Sequence, residues 1–132
     1  MKKNGILNRE INDALGRLGH TDTICIADCG LPLPKGVKVV DLSLKLGIPS
    51  FIDVLDVITK EMKIEKYVLA SEITDKNKQL FNEIVNEQLI DIPYDFGSHE
   101  ELKEKTKLCQ LIIRTGEASP FANIILQGGV IF

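Results

Sequence analysis

Tryptophan is absent from the 132 residues, and histidine and tyrosine occur only twice each. With five phenylalanines besides, few rings are available to build the stacking platforms that hold single-stranded nucleic acid. Long basic runs are also missing. The longest is Lys2-Lys3, and 16 basic against 19 acidic side chains leave a net charge of −3. A surface that tracks phosphates is therefore not expected. No apolar stretch approaches the ~18 residues of a membrane span. Where a secretory leader would place its apolar centre, Asn4–Asp13 is polar. The expectation is a cytoplasmic chain with no nucleic-acid partner and no membrane partner.

Cysteine is sparse and odd in number: Cys25, Cys29 and Cys109. An odd count argues against a closed disulfide framework. Cys25 and Cys29 are not in Cys-x-x-Cys spacing, and no second cluster supplies the four ligands of a structural zinc site. All three read as small buried hydrophobes, and no metal is expected. Also missing are the Gly-x-Ser-x-Gly elbow and the His-Glu-x-x-His pair, which argues against the common serine hydrolases and zinc proteases. Neither the phosphate-binding Gly-x-x-x-x-Gly-Lys-Ser/Thr loop nor the dinucleotide Gly-x-Gly-x-x-Gly is present.

What remains is a chain of single-domain length, residues 1–132, with 44% hydrophobic and 27% charged residues. Leu7, Ile11, Ala14, Leu15 and Leu18 form one helical face beginning near Asn8, with Gly19 as its C′ residue. Thr23–Ala27 reads as a buried strand running into a Gly/Pro loop. Val37–Leu42 and Lys66–Ser71 read as further strands. Ser50 can cap a helix from Phe51 to about Met62, and Asp75 a helix bearing Leu80, Phe81, Ile84, Val85 and Leu89. Ile90–Tyr94 is a short extended run. Ser98-His99-Glu100-Glu101 has the form of a capping box. Leu108–Arg114, Phe121–Leu126 and Gly129–Phe132 read as extended. The alternation implies an α/β domain, a three-layer α/β/α arrangement around a mixed, largely parallel sheet. Sites in such sheets lie in loops at strand ends, here after Ala27 and after Arg114.

The short list of reactive groups makes the two histidines the first acid–base suspects. His20 follows a helix C-terminus, where capping the last carbonyls is the commoner role. Asp28 leaves a buried strand. Its carboxylate suits a substrate hydroxyl or a histidine, and equally an Asx turn. His99 opens a helix with Lys103 one turn on, so the two share a face that can meet oxygen atoms. A solvated histidine and lysine would look the same. Gly116 offers positive φ and close backbone approach. In a strand pattern Phe121 and Asn123 face one side, as in a sugar site or an ordinary half-buried strand.

Seven blocks then carry a resemblance. They are Met1-Lys2-Lys3-Asn4-Gly5-Ile6-Leu7-Asn8, Leu18-Gly19-His20-Thr21-Asp22, Ile26-Ala27-Asp28-Cys29-Gly30-Leu31-Pro32, Val40-Asp41-Leu42-Ser43-Leu44, Ser98-His99-Glu100-Glu101-Leu102-Lys103, Ile113-Arg114-Thr115-Gly116-Glu117 and Pro120-Phe121-Ala122-Asn123. In order and from end to end, they resemble the D-ribose pyranase family (RbsD type), related to the L-fucose mutarotases. The resemblance implies an isomerase that interconverts the pyranose and furanose rings of β-D-ribose without metal or cofactor. It implies His20 as the catalytic acid/base, and Asp28, His99, Lys103, Phe121, Ala122 and Asn123 as sugar-binding residues. It further implies a homo-oligomer, a decamer of two pentameric rings, with sites shared between neighbours. The family usually has tyrosine at the position of Phe121, and a lost hydroxyl that left its partner unpaired would cost ~1–3 kcal/mol. The alternatives are a mutarotase for another sugar such as fucose, or a non-catalytic sugar-binding ring.

Overall fold

Strict alternation along the strands divides the core in two. In β1 (Thr23–Ala27), Ile24 and Ile26 join one cluster while Cys25 and Ala27 join the other. The same parity holds in β5 (Leu111–Arg114), where Leu111 and Ile113 face one way and Ile112 the other. It holds again in β6 (Ile124–Gly128) for Ile124 and Leu126 against Ile125. A sheet apolar on both faces must be covered on both faces, which makes three layers. The computed structural model, which describes residues 1–132, has this arrangement.

Six strands lie in the order β2-β5-β1-β6-β3-β4, with β2 at Val39–Asp41, β3 at Ile64–Ala70 and β4 at Tyr94–Gly97. Strand β6 is antiparallel to both neighbours, β1 and β3, and every other pairing is parallel. The expected α/β fold with a mixed, largely parallel sheet is therefore what forms. The larger core lies under α1 (Arg9–Arg17), α2 (Phe51–Glu61) and α4 (Lys78–Glu83), and joins 23 buried residues. The smaller lies under α5 (His99–Thr106) and the loop at Leu31, and joins eight. A one-turn helix, α3 (Ile73–Lys76), precedes α4, which continues into a π-helical turn over Ile84–Gln88.

Helix starts follow local chemistry. Asn8 accepts from the Ile11 N–H, and Ser50 forms a reciprocal capping box with Asp53. At Ser98 half of the expected box is present: its hydroxyl accepts from the Glu101 N–H. Other expectations need correction. Helix α1 ends because Leu18 turns extended, and Gly19 does not take up the left-handed conformation. Asp75 sits inside α3 rather than capping a helix; Asn77 is the N-cap position of α4, and its amide is drawn away to Ser119 Oγ and Pro120 O. Ile90 and Asp91 form a turn, Ile92 and Pro93 are irregular, and the strand comes after them, at Tyr94–Gly97. Strand β6 starts only at Ile124, since Phe121 adopts φ +57° and cannot lie in a strand. Gly129–Phe132 is irregular.

Candidate functional site

Because five strands run parallel, their C-terminal ends share one edge of the sheet, and the antiparallel β6 brings its N-terminal end there too. Asp28 leaves β1 at this edge, His99 leaves β4, and Asn123 enters β6. The structure joins them into one constellation. Asn123 Nδ2 donates to Asp28 Oδ2 at 3.0 Å, and the Asp28 N–H donates to Asn123 Oδ1 at 2.9 Å. The other carboxylate oxygen of Asp28 accepts from the Gly30 N–H at 3.0 Å. Asp28 is thus an Asx-turn residue whose carboxylate is also fixed by a buried amide. Asn123 is fully buried, so its side chain serves Asp28.

Phe121, held at positive φ, sets its ring edge-on to His99 with centroids 5.2 Å apart. That placement arises from a turn, in which the Asn123 N–H donates to the Phe121 carbonyl, and not from strand alternation. Ala122 is fully buried beneath it. The His99 N–H donates to Glu72 at the end of β3, at 2.9 Å to Oε2. Burial works to raise the Glu72 carboxyl pKa, but hydrogen bonds from the His99 and Ser71 groups bring it below its usual value. His99 Nδ1 is buried with no hydrogen-bond partner. Such an atom is costly unless something completes it, as a hydroxyl-bearing ligand would. Lys103, one turn on, pairs with Glu100 Oε1 at 2.7 Å. It lines a cleft of about 240 Å³ against Pro32-Leu33-Pro34, the loop that follows Asp28.

Neighbouring groups stiffen this edge. Arg114 donates to the Cys29 carbonyl through Nε and Nη2, and to Asp41 and Ser43 through Nη1. Glu117 reaches the N-terminus of α2, accepting from the Phe51 N–H at 2.9 Å. Gly116 is not at positive φ, but it does allow the close approach. A Cβ there would stand 2.5 Å from the Ile48 carbonyl oxygen.

His20 lies elsewhere. It precedes β1, and the following Thr21 N–H donates to the carbonyl of Gly128 at the far end of β6. It caps no helix carbonyl: its Nε2 is 2.9 Å from Glu65 Oε2 at the start of β3. The Glu65 carboxyl is held below the usual carboxylate range, first by Gln127 and then by His20. Along β1, the five steps from Thr23 to Asp28 span roughly 16 Å at ~3.3 Å per residue. His20 and Asp28 therefore occupy opposite edges of the sheet, further apart than one monosaccharide reaches. His20 borders a cleft of about 330 Å³ that also takes in Leu15, Met62 and the C-terminal Ile131 and Phe132.

Glu72, Glu65 and Gln127 were not among the residues the sequence singled out. No motif marks them, and only strand order and register bring them to the histidines.

These features define a small α/β protein with a polar constellation of Asp28, His99 and Asn123 at one sheet edge and a histidine paired with a carboxylate at the other. The sequence profile of the RbsD / FucU transport protein family matches residues 1–131, and the chain belongs to that family. It is 56% identical over 132 residues to the D-ribose pyranase of Bacillus cytotoxicus, with all of both chains covered. It is 54% identical, with the same coverage, to the D-ribose pyranase of Bacillus cereus strain AH187. Among solved structures, Bacillus subtilis RbsD complexed with D-ribose superposes with a TM-score of 0.90 at 47% identity, covering 100% of each chain. The fucose mutarotase of Streptococcus pneumoniae shares the fold, with a TM-score of 0.77 at 23% identity over 96% of this chain and 95% of that one.

Proposed function

We propose that the chain is a D-ribose pyranase, interconverting β-D-ribopyranose and β-D-ribofuranose. The observation that carries this is its full-length likeness to the ribose-bound RbsD, joined to whole-chain identity with D-ribose pyranases. The reaction opens a hemiacetal. The anomeric hydroxyl loses its proton, the ring oxygen gains one, and the bond between the anomeric carbon and the ring oxygen breaks as the exocyclic C–O becomes the aldehyde carbonyl. A different hydroxyl then attacks that carbonyl to close the other ring.

His20 is the proton shuttle in this reading, a role worth ~10²–10⁴-fold. Asp28 and His99 Nδ1 bind sugar hydroxyls, with Lys103 beside them. Phe121 packs on the ring, Ala122 shapes the floor, and Asn123 acts by fixing Asp28. Phe121 has no hydroxyl to offer, so the sugar's polar contacts fall to the other groups. Since His20 stands at the opposite sheet edge, the site is completed by a second copy, as in the proposed decamer of two pentameric rings.

Saturation-transfer NMR on equilibrated ribose tests the activity. The protein should accelerate pyranose–furanose exchange, His20→Ala should abolish the acceleration, and exhaustive chelation should leave it unchanged. Binding without acceleration would identify a non-catalytic sugar-binding ring instead. Greater acceleration with fucose than with ribose would identify a mutarotase of another sugar.

A further inference from the structure

Three structural devices converge on one carboxylate that the ribose site does not include. Between Ile64 and Lys66 the register of β3 against β6 slips: Ile64 pairs with Gly128 and Lys66 with Gln127, leaving Glu65 as an extra residue. A bulge of this kind re-aims a side chain. Gln127 Nε2 donates to Glu65 Oε1 at 2.6 Å, fixing one oxygen, while the other meets His20 Nε2 at 2.9 Å. Gly129 leaves room for this carboxylate, since a Cβ there would stand 3.0 Å from Glu65 Cβ and 3.4 Å from Oε2.

The histidine is held from its own side as well. The turn carrying it is closed by the Gly19 N–H on Asp22 Oδ2 at 2.8 Å, and Thr21 takes φ +72°. That conformation is costly for a β-branched residue and persists only where its surroundings impose it.

We propose that Glu65 is a positioning residue for His20, holding the ring through Nε2–H so that Nδ1 carries the lone pair that exchanges protons with the sugar. The proposal rests on the reading of His20 as proton shuttle. A carboxylate can only accept, so the neutral imidazole facing it must place its proton on Nε2. The same carboxylate stabilises the imidazolium formed when Nδ1 takes up the anomeric proton. The pair is half-exposed, with His20 at 52% and Glu65 at 34% side-chain exposure, so it adds little to folding stability. Its value lies in orientation and charge at the moment of transfer.

The test pairs ribose exchange kinetics with ¹⁵N spectra of the histidine rings in the intact, assembled protein. Only two histidines are present, so the spectrum of His20→Ala assigns the signals. The wild type should show His20 in the Nε2–H tautomer, and Glu65→Ala should lose that preference. Its kcat should fall by roughly 10–100-fold, part of the ~10²–10⁴ that acid–base catalysis supplies. KM should stay within about twofold, as for an interaction made mainly in the transition state. Gln127→Ala should give a smaller loss in the same direction. Wild-type kcat in Glu65→Ala, or an unchanged tautomer, would overturn the proposal. If the wild-type protein fails to speed ribose exchange, the sugar reading falls, and the ring spectra still decide whether Glu65 holds His20.

Discussion

Tyr67 carries a hydroxyl that nothing in the core satisfies. The residue is fully buried, stacked on Tyr94 at 5.1 Å, and its OH has no partner. Burial, and then the neighbouring Tyr94, push its pKa up to about 12. A neutral hydroxyl stripped of water without compensation costs ~1–3 kcal/mol. Tyr67→Phe keeps the ring stacking and removes the cost, so it should raise stability by about 1 kcal/mol in urea denaturation. A decrease would mean that the hydroxyl has a partner in the assembled protein. At this scale the sequence was legible only in part. Asp28 and His99 stood out as candidates because loops and helix caps are where such side chains do chemistry, Asn123 through its place beside Phe121 in a strand pattern, and the sugar-binding roles came from the family resemblance. That Asn123 spends its amide on Asp28 depends on pairing across 95 positions, which no local pattern encodes. Glu65 was invisible for the same reason, since a bulge exists only relative to a partner strand.

Elements announced themselves where local chemistry and periodicity agreed. Strand β1 and helix α2 fall where the short buried apolar run and the Ser50 cap put them. The failures came where tertiary contacts override propensity, as at Asn77, which ends one helix and begins the next while its amide serves a distant loop. The loop bearing Leu44 and Leu46 is likewise set from afar. The Gly47 N–H donates to the Gly116 carbonyl at 2.6 Å, and the Gly116 N–H donates to that of Pro49 at 2.9 Å. Gly116→Ala drives a methyl into this backbone and should destabilise by roughly 2–3 kcal/mol, read as a lowered denaturation midpoint. Carboxylates on and between the elements also carry the pH response. Asp13, Asp41, Glu65, Glu72 and Asp95 all titrate below their ordinary values, Asp41 through Ser43 and then Arg114. A carboxyl whose pKa falls on folding stabilises the native state above the unfolded value. That stability is lost as pH drops through the folded value. Tm should therefore hold above about pH 5 and fall below about pH 4, the ordinary carboxylate range. Asp41→Asn should flatten part of that fall.

Several large apolar side chains lie exposed on the single chain. Leu44 and Leu46 are 78% and 77% exposed, Leu108 80%, and Ile131 and Phe132 89% and 100%. Side chains of this kind are costly in water and suit contact with further copies. In the proposed assembly the division of the proposed site residues between two sheet edges gives such contacts a purpose, with His20 of one copy meeting the Asp28–His99 constellation of another. Co-expressing His20→Ala with Asp28→Asn tests this without a structure of the assembly. Each variant alone should be inactive. In mixed oligomers, a site regains both groups when its histidine comes from an Asp28→Asn chain and its aspartate from a His20→Ala chain. Random assembly at equal amounts makes about one site in four intact, so ribose exchange should return to about a quarter of the wild-type rate. Sedimentation of the mixture should match the wild type, which the proposed decamer of 14.7 kDa chains places near 147 kDa. No recovery in a correctly assembled mixture would mean that one chain supplies both groups, and that His20 reaches the sugar only after a rearrangement of the sheet edges. Recovery near a quarter would establish that the catalytic unit is a junction between two chains and not a chain.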